Sequence, residues 1–110
     1  AQYGIRVNAI CPGFINTNIF TASLAVPEAR KEEAKGVIAA LSAQAQPVAR
    51  GGQPVDIANM VAFLASAEAA FITGTEMVVD GGITVGPRHA WDPQSPSLFA
   101  ALLAMEDAPQ

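Results

Sequence analysis

Two short apolar runs, residues 5–10 and 75–79, stand on either side of two helical patterns. That order constrains the chain more than any other feature. A strand, then helices, then a second strand is one crossover unit of a parallel sheet, since parallel neighbours need a long connection. In the first run Ile5, Val7 and Ala9 fall on one face, and Arg6, Asn8 and Ile10 on the other. Pro12-Gly13 is expected to end it, because proline removes a ladder donor and glycine permits unusual backbone angles. The second run ends at Val79 and meets Asp80-Gly81-Gly82, which reads as a tight turn at the sheet edge.

Residues 1–4 read as the last turn of a helix, closed by Gly4 in a left-handed conformation. A short helical turn is expected over 17–24. A longer helix is predicted from Pro27 to about Gln44, with proline in its first turn and Glu28 at the end where the helix dipole favours acids. Its Ala34, Val37, Ile38 and Leu41 recur at i, i+3, i+4 and i+7, an apolar stripe expected to be buried. The charged residues from Glu28 to Lys35 read as its solvated face. After a loop over 47–53, Pro54 opens a second helix to about Ser66, with Ile57, Met60, Val61 and Leu64 facing inward. Residues 71–74 form a connector closed by Gly74. From Pro87 the sequence is proline-rich and expected to be irregular. Ser95 then caps a last helix whose Leu98, Phe99, Leu102 and Leu103 share a side.

The chain has 110 residues, of which 51% are hydrophobic and 15% charged, with a net charge of −4. That balance suits a packed α/β protein. With six Lys and Arg and no basic stripe, no nucleic-acid partner and no anionic membrane surface is expected. No run reaches the roughly 20 apolar residues that span a bilayer. No secretory signal is expected, as the first residues lack a charged segment followed by an apolar run. The single cysteine, Cys11, cannot form an internal disulfide, which fits a cytoplasmic location, and it reads as a small buried filler. One His and one Cys give no metal-ligand cluster. His89 reads as a solvated loop residue, and Arg6 and Asn8 as structural.

The unit lacks elements that its own pattern calls for. A parallel sheet is buried on both faces, and the outer edge of the first strand would expose unpaired backbone groups. Further strands are therefore expected from an upstream part of the chain or from a partner.

The blocks "YGIRVNAICPGFINT", "PVARGGQPVDIANMVAFLAS" and "FITGTEMVVDGG" resemble, in order and spacing, the C-terminal third of the short-chain dehydrogenases/reductases, over roughly residues 3–86. The resemblance implies the C-terminal part of a Rossmann-type, doubly wound parallel sheet: two strands joined by a helical crossover, with a C-terminal tail. It divides the chain into residues 1–86, the end of an NAD(P)-binding domain, and residues 87–110, an extension with a short helix. It also implies hydride transfer between NAD or NADP and a small-molecule alcohol/carbonyl pair, in a homo-oligomer.

For the site, the resemblance implies that Pro12 and Gly13 line the nicotinamide ring. The Ile15 backbone would bond its carboxamide, and the Thr17 hydroxyl would bond the carboxamide or a pyrophosphate oxygen. Phe14 and residues 18–46 would form one wall of the substrate pocket and its lid. Spacing alone favours a plain strand terminator at Pro12-Gly13, and it leaves Thr17 open as a helix cap. The family's GxxxGxG turn is absent, as is its YxxxK pair, where Tyr acts as the acid/base and Lys lowers its pKa. The one tyrosine, Tyr3, has Val7 four residues on. No catalytic residue is therefore assigned. Those groups are expected upstream of Ala1, and the chain alone is expected to be inactive. The contrasting expectation is a non-catalytic module that acts by association.

Overall fold

The computed structural model describes residues 1–22 and 24–106. Strands β1 (Ala9–Pro12) and β2 (Glu76–Val79) form a two-stranded parallel sheet, in register from Ala9 opposite Glu76 to Pro12 opposite Val79. Between them run α1 (Ile19–Ala22), α2 (Lys31–Ala45) and α3 (Pro54–Ala65), and α4 (Leu98–Glu106) follows β2. The α/β crossover expected from the sequence is thus present, as two parallel strands joined through helices.

The first strand starts four residues later than its apolar pattern suggests, at Ala9, and it includes Pro12. Side chains account for the shift. Arg6 donates to the carbonyls of Ile72 (3.1 Å) and Leu64 (2.7 Å). Asn8 donates to Ile72 O (3.0 Å) and accepts from Thr75 N (3.2 Å), while Val7 N donates to the Thr73 hydroxyl (3.1 Å). These bonds satisfy the backbone of the connector in place of a regular ladder. Arg6 and Asn8 are structural here, as expected. Residues 1–4 form a turn, with Gly4 N bonded to Ala1 O and Gly4 at φ 69°.

Helix α2 is preceded by a 3₁₀ turn, Glu28–Arg30, in place of a continuous helix from Pro27. Its charged face is solvated and closed on itself by pairs at i, i+3: Arg30 with Glu33, Lys31 with Glu28, and Lys35 with Glu32. The apolar stripe is not buried as expected. Leu41 is 64% exposed and Val37 is also open, because nothing in the described chain packs across that face. Helix α3 matches its prediction. Pro54 opens it, Asp56 accepts the Gln53 N–H (2.7 Å), and Ile57, Met60 and Leu64 turn inward, although Val61 stays half exposed.

The tail departs from expectation in two ways. Residues 87–95 are ordered by hydrogen bonds. The Arg88 carbonyl accepts from Trp91 N and Asp92 N, and the Asp92 carbonyl accepts from Ser95 N. The cap of α4 is Ser97, whose hydroxyl accepts from Ala100 N (3.0 Å), so the helix starts too late for Ser95 to reach it.

Leu64 and Ala69 are the buried apolar side chains among the described residues. The accessible surface is 8249 Å², against about 5,700 Å² for a compact monomer of this size. The radius of gyration is 20.0 Å, where a compact chain of this length gives about 13 Å. No helix among the described residues is long and apolar enough to cross a membrane.

Candidate functional site

Three loops meet at the carboxyl ends of the two strands, where open α/β sheets bind ligands. Gly13 N bonds Val79 O (3.0 Å), and a Cβ on Gly13 would lie 2.7 Å from the Asp80 Cα, so only glycine lets the chains come this close. Gly52 is fixed in the same way, since a Cβ there would sit 2.9 Å from Phe14 O. Gly52 N donates to Phe14 O (2.9 Å) and Gly52 O accepts from Asn16 N (2.8 Å), a parallel bridge centred on Ile15. In such a bridge the central residue directs its own N–H and C=O away from its partner. The third loop closes the junction where Gly81 O accepts from Val48 N (3.0 Å).

Pro12, Gly13, Ile15 and Thr17 share one hollow of about 540 Å³, faced by Phe20, Pro54 and Ile57. The Thr17 hydroxyl accepts from Ile19 N (3.3 Å), which ties it to the start of α1 and leaves its proton free to donate. Its capping and ligand roles are therefore compatible. Phe14 does not line this hollow. It borders an adjoining one of about 250 Å³, between α1 and α2. The Phe14 and Phe20 rings lie 6.0 Å apart at 48°, a tilted pair separating the two spaces.

Arg50 grips Asp56 with two bonds (2.7 and 2.8 Å) beside the junction. The Arg50 guanidinium, helped by the Gln53 N–H, pulls the Asp56 carboxyl down from 3.8 to about 2. Asp80 is also held below its ordinary pKa, first by the Thr84 hydroxyl and then by Gly82 N–H. It is an ionised turn-former, so it does not supply protons near neutral pH.

Cys11 is exposed rather than buried, because nothing described covers its side of β1. Tyr3 is exposed near the other end of the first run, and His89 is exposed in a 3₁₀ turn (Arg88–Ala90). Among the described residues no group of three His, Cys, Asp or Glu is placed to hold a metal ion. Two contributors escape a reading of the sequence. Gly52 signals itself only as half of a Gly-Gly pair in a loop. Gln46 is 3% exposed, with its Nε2 on Arg50 O and its Oε1 unpartnered among the described residues.

The walls of the larger hollow are apolar except for one hydroxyl and the backbone of Ile15. That donor set fits a flat ring bearing an amide. Among the described residues no cation lines it.

The sequence profile of the family described as Enoyl-(Acyl carrier protein) reductase matches residues 1–84. The oxidoreductase UcpA of Escherichia coli K12 is 41% identical over 85 residues, which are 77% of this chain and 31% of that protein. A solved 4-hydroxyisoleucine dehydrogenase complexed with NADH superposes with a TM-score of 0.55 at 34% identity, covering 78% of this chain and 30% of that one. A blue fluorescent protein from a metagenomic library, in complex with NADPH, gives a TM-score of 0.53 at 32% identity, over 74% of this chain and 28% of that one. The chain thus spans under a third of each of these proteins. On the profile match and these likenesses, the chain belongs to the short-chain dehydrogenase/reductase family of oxidoreductases.

Proposed function

We propose that these residues form the nicotinamide side of an NAD(P)-dependent oxidoreductase acting on a small-molecule alcohol/carbonyl pair. The observation that carries this reading is the Ile15–Gly52 bridge. It pins residues 14–16 so that the Ile15 N–H and C=O turn from Gly52, beside an apolar hollow walled by Pro12, Gly13 and Thr17. A nicotinamide held there would supply hydride exchange with the substrate carbon. The chain's own groups orient the ring: Pro12 and Gly13 bound it, Ile15 and Thr17 fix its amide, and Phe14 stands on the substrate side. Holding the reactants in attack geometry is where such residues contribute to rate.

In this reading residues 1–86 belong to the cofactor-binding domain and 87–110 are an extension, in a cytoplasmic homo-oligomer. The general acid/base and the pyrophosphate turn come from other residues, so the 110-residue chain alone has no turnover. Two measurements test this: the intact mass of the native protein in its own cells, and NADH binding by the complete gene product. A mass two to three times that of these residues, with NADH bound, supports the reading. Saturable turnover by the 110 residues alone refutes the inactivity.

A second reading is favoured by one observation, the 8249 Å² of accessible surface. If the native mass equals these 110 residues, the chain acts by association, offering its exposed apolar faces to a partner.

A further inference from the structure

The carboxyl end of α2 is held from two sides by the segment that follows β2. The helix closes on Gln46, which leaves it extended (φ −145°, ψ 157°), and its last turn carries no basic residue. Its terminal carbonyls therefore need donors from elsewhere. On one side the chain just past the helix is tied to the turn after β2. Val48 N donates to Gly81 O (3.0 Å), and a Cβ on Gly81, which stands at φ 64°, would lie 2.7 Å from Gln46 Nε2. On the other side Arg88 Nη1 donates to Gln44 O (3.1 Å). Gln46 lies between these ties, 3% exposed, with its Nε2 on Arg50 O (2.7 Å).

Arg88 is aimed before it reaches the helix. Its Nε bonds Asp92 Oδ2 (2.7 Å), its guanidinium lies 5.6 Å from the Trp91 ring centre, and its own carbonyl accepts from Trp91 N and Asp92 N. The Arg88 guanidinium, helped by Gln94 N–H, holds the Asp92 carboxyl below its ordinary pKa. A side chain fixed in this way loses less rotamer freedom when it bonds the carbonyl. These tail residues lie beyond the residues 1–84 that the family profile matches, so the tie belongs to this chain's own extension.

We infer that Arg88 is a positioning residue for the nicotinamide. It holds the end of α2, α1 packs on α2, and α1 carries Phe20, which faces the hollow of Pro12, Gly13, Ile15 and Thr17. The tail thereby slows escape of the bound cofactor. This rests on the nicotinamide reading above and adds a residue from outside the hollow that regulates it.

The test uses the complete gene product. Its NADH is displaced by excess NAD in a stopped-flow instrument, and nicotinamide fluorescence gives the release rate. A cation at a helix carboxyl end contributes enough that Arg88→Ala is expected to speed release about two- to fivefold. Hydrogen exchange in residues 31–45 should rise with it. Arg88→Lys, which keeps the charge but not the paired bonds, should fall between the two. A release rate unchanged by Arg88→Ala overturns the inference even if exchange rises, since the tie would then serve the helix alone. Unchanged exchange in α2 overturns it as well. If the parent protein binds no NADH, the cofactor reading fails and the positioning role falls with it.

Discussion

At the scale of single residues, two contacts decide how the site holds its shape. Asp56 ties Arg50 to the first turn of α3, and its pKa of about 2 lies below its ordinary 3.8. A depressed carboxylate stabilises the fold fully above the unfolded value, and that contribution disappears as pH falls through the folded value. Stability is therefore expected to drop between about pH 4 and pH 2, and Asp56→Asn should flatten that part of the profile. Carboxyl chemical shifts followed through an acid titration check the assignment. Gly13→Ala sets a methyl against the Asp80 backbone. Overpacking of this kind costs about 1–3 kcal/mol, so the complete gene product should melt earlier, as calorimetry would show. An unchanged melting temperature would mean the strands separate freely at that point. The grouping of Pro12, Gly13, Ile15 and Thr17 in one hollow was legible through the family resemblance, whereas spacing alone pointed to a plain strand terminator. Gly52 and Gln46 were not legible, since their role depends on a loop arriving from 30 or more residues away.

Among the elements, the tail and α2 are joined by one side chain. Arg88 donates to Gln44 O (3.1 Å), in the last turn of α2, while bonding Asp92 (2.7 Å) and lying 5.6 Å from the Trp91 ring centre. A cation at this end of a helix meets unpaired carbonyls and the negative pole of the dipole. Arg88→Ala is expected to raise amide exchange in residues 41–46 and 88–95 severalfold, with β1 and β2 unaffected, and hydrogen-exchange mass spectrometry reads both regions. Helix α3 could be read directly from sequence, because its proline, its acid and its apolar spacing agree. The burial of α2 could not. Its stripe at i, i+3, i+4 records what the helix wants to cover, while coverage depends on surfaces beyond the described chain. Likewise the start of β1 was hidden, since Arg6 and Asn8 look like outward strand residues until their carbonyl partners are known.

For the molecule as a whole, surface outweighs core. Apolar side chains such as Phe71, Leu98 and Phe99 stand in solvent, and α4 carries apolar residues all around its axis. A helix of that kind is normally enclosed. The 110-residue polypeptide, produced alone, is expected to bind the dye ANS and to elute as associated species rather than as one compact monomer. Light scattering after size exclusion tests this, and a monodisperse monomer that leaves the dye dark would count against it. The parallel crossover was legible at this scale, and so was the need for neighbouring strands, because an incomplete sheet shows in the count of its elements. One consequence concerns engineering. Among the described residues β1 is paired on one side only, so a separate polypeptide bringing an adjoining strand would dock there in trans. On the cofactor reading proposed above, such a pair would work as a split reporter, in which nicotinamide fluorescence reports the meeting of whatever proteins the two halves are fused to.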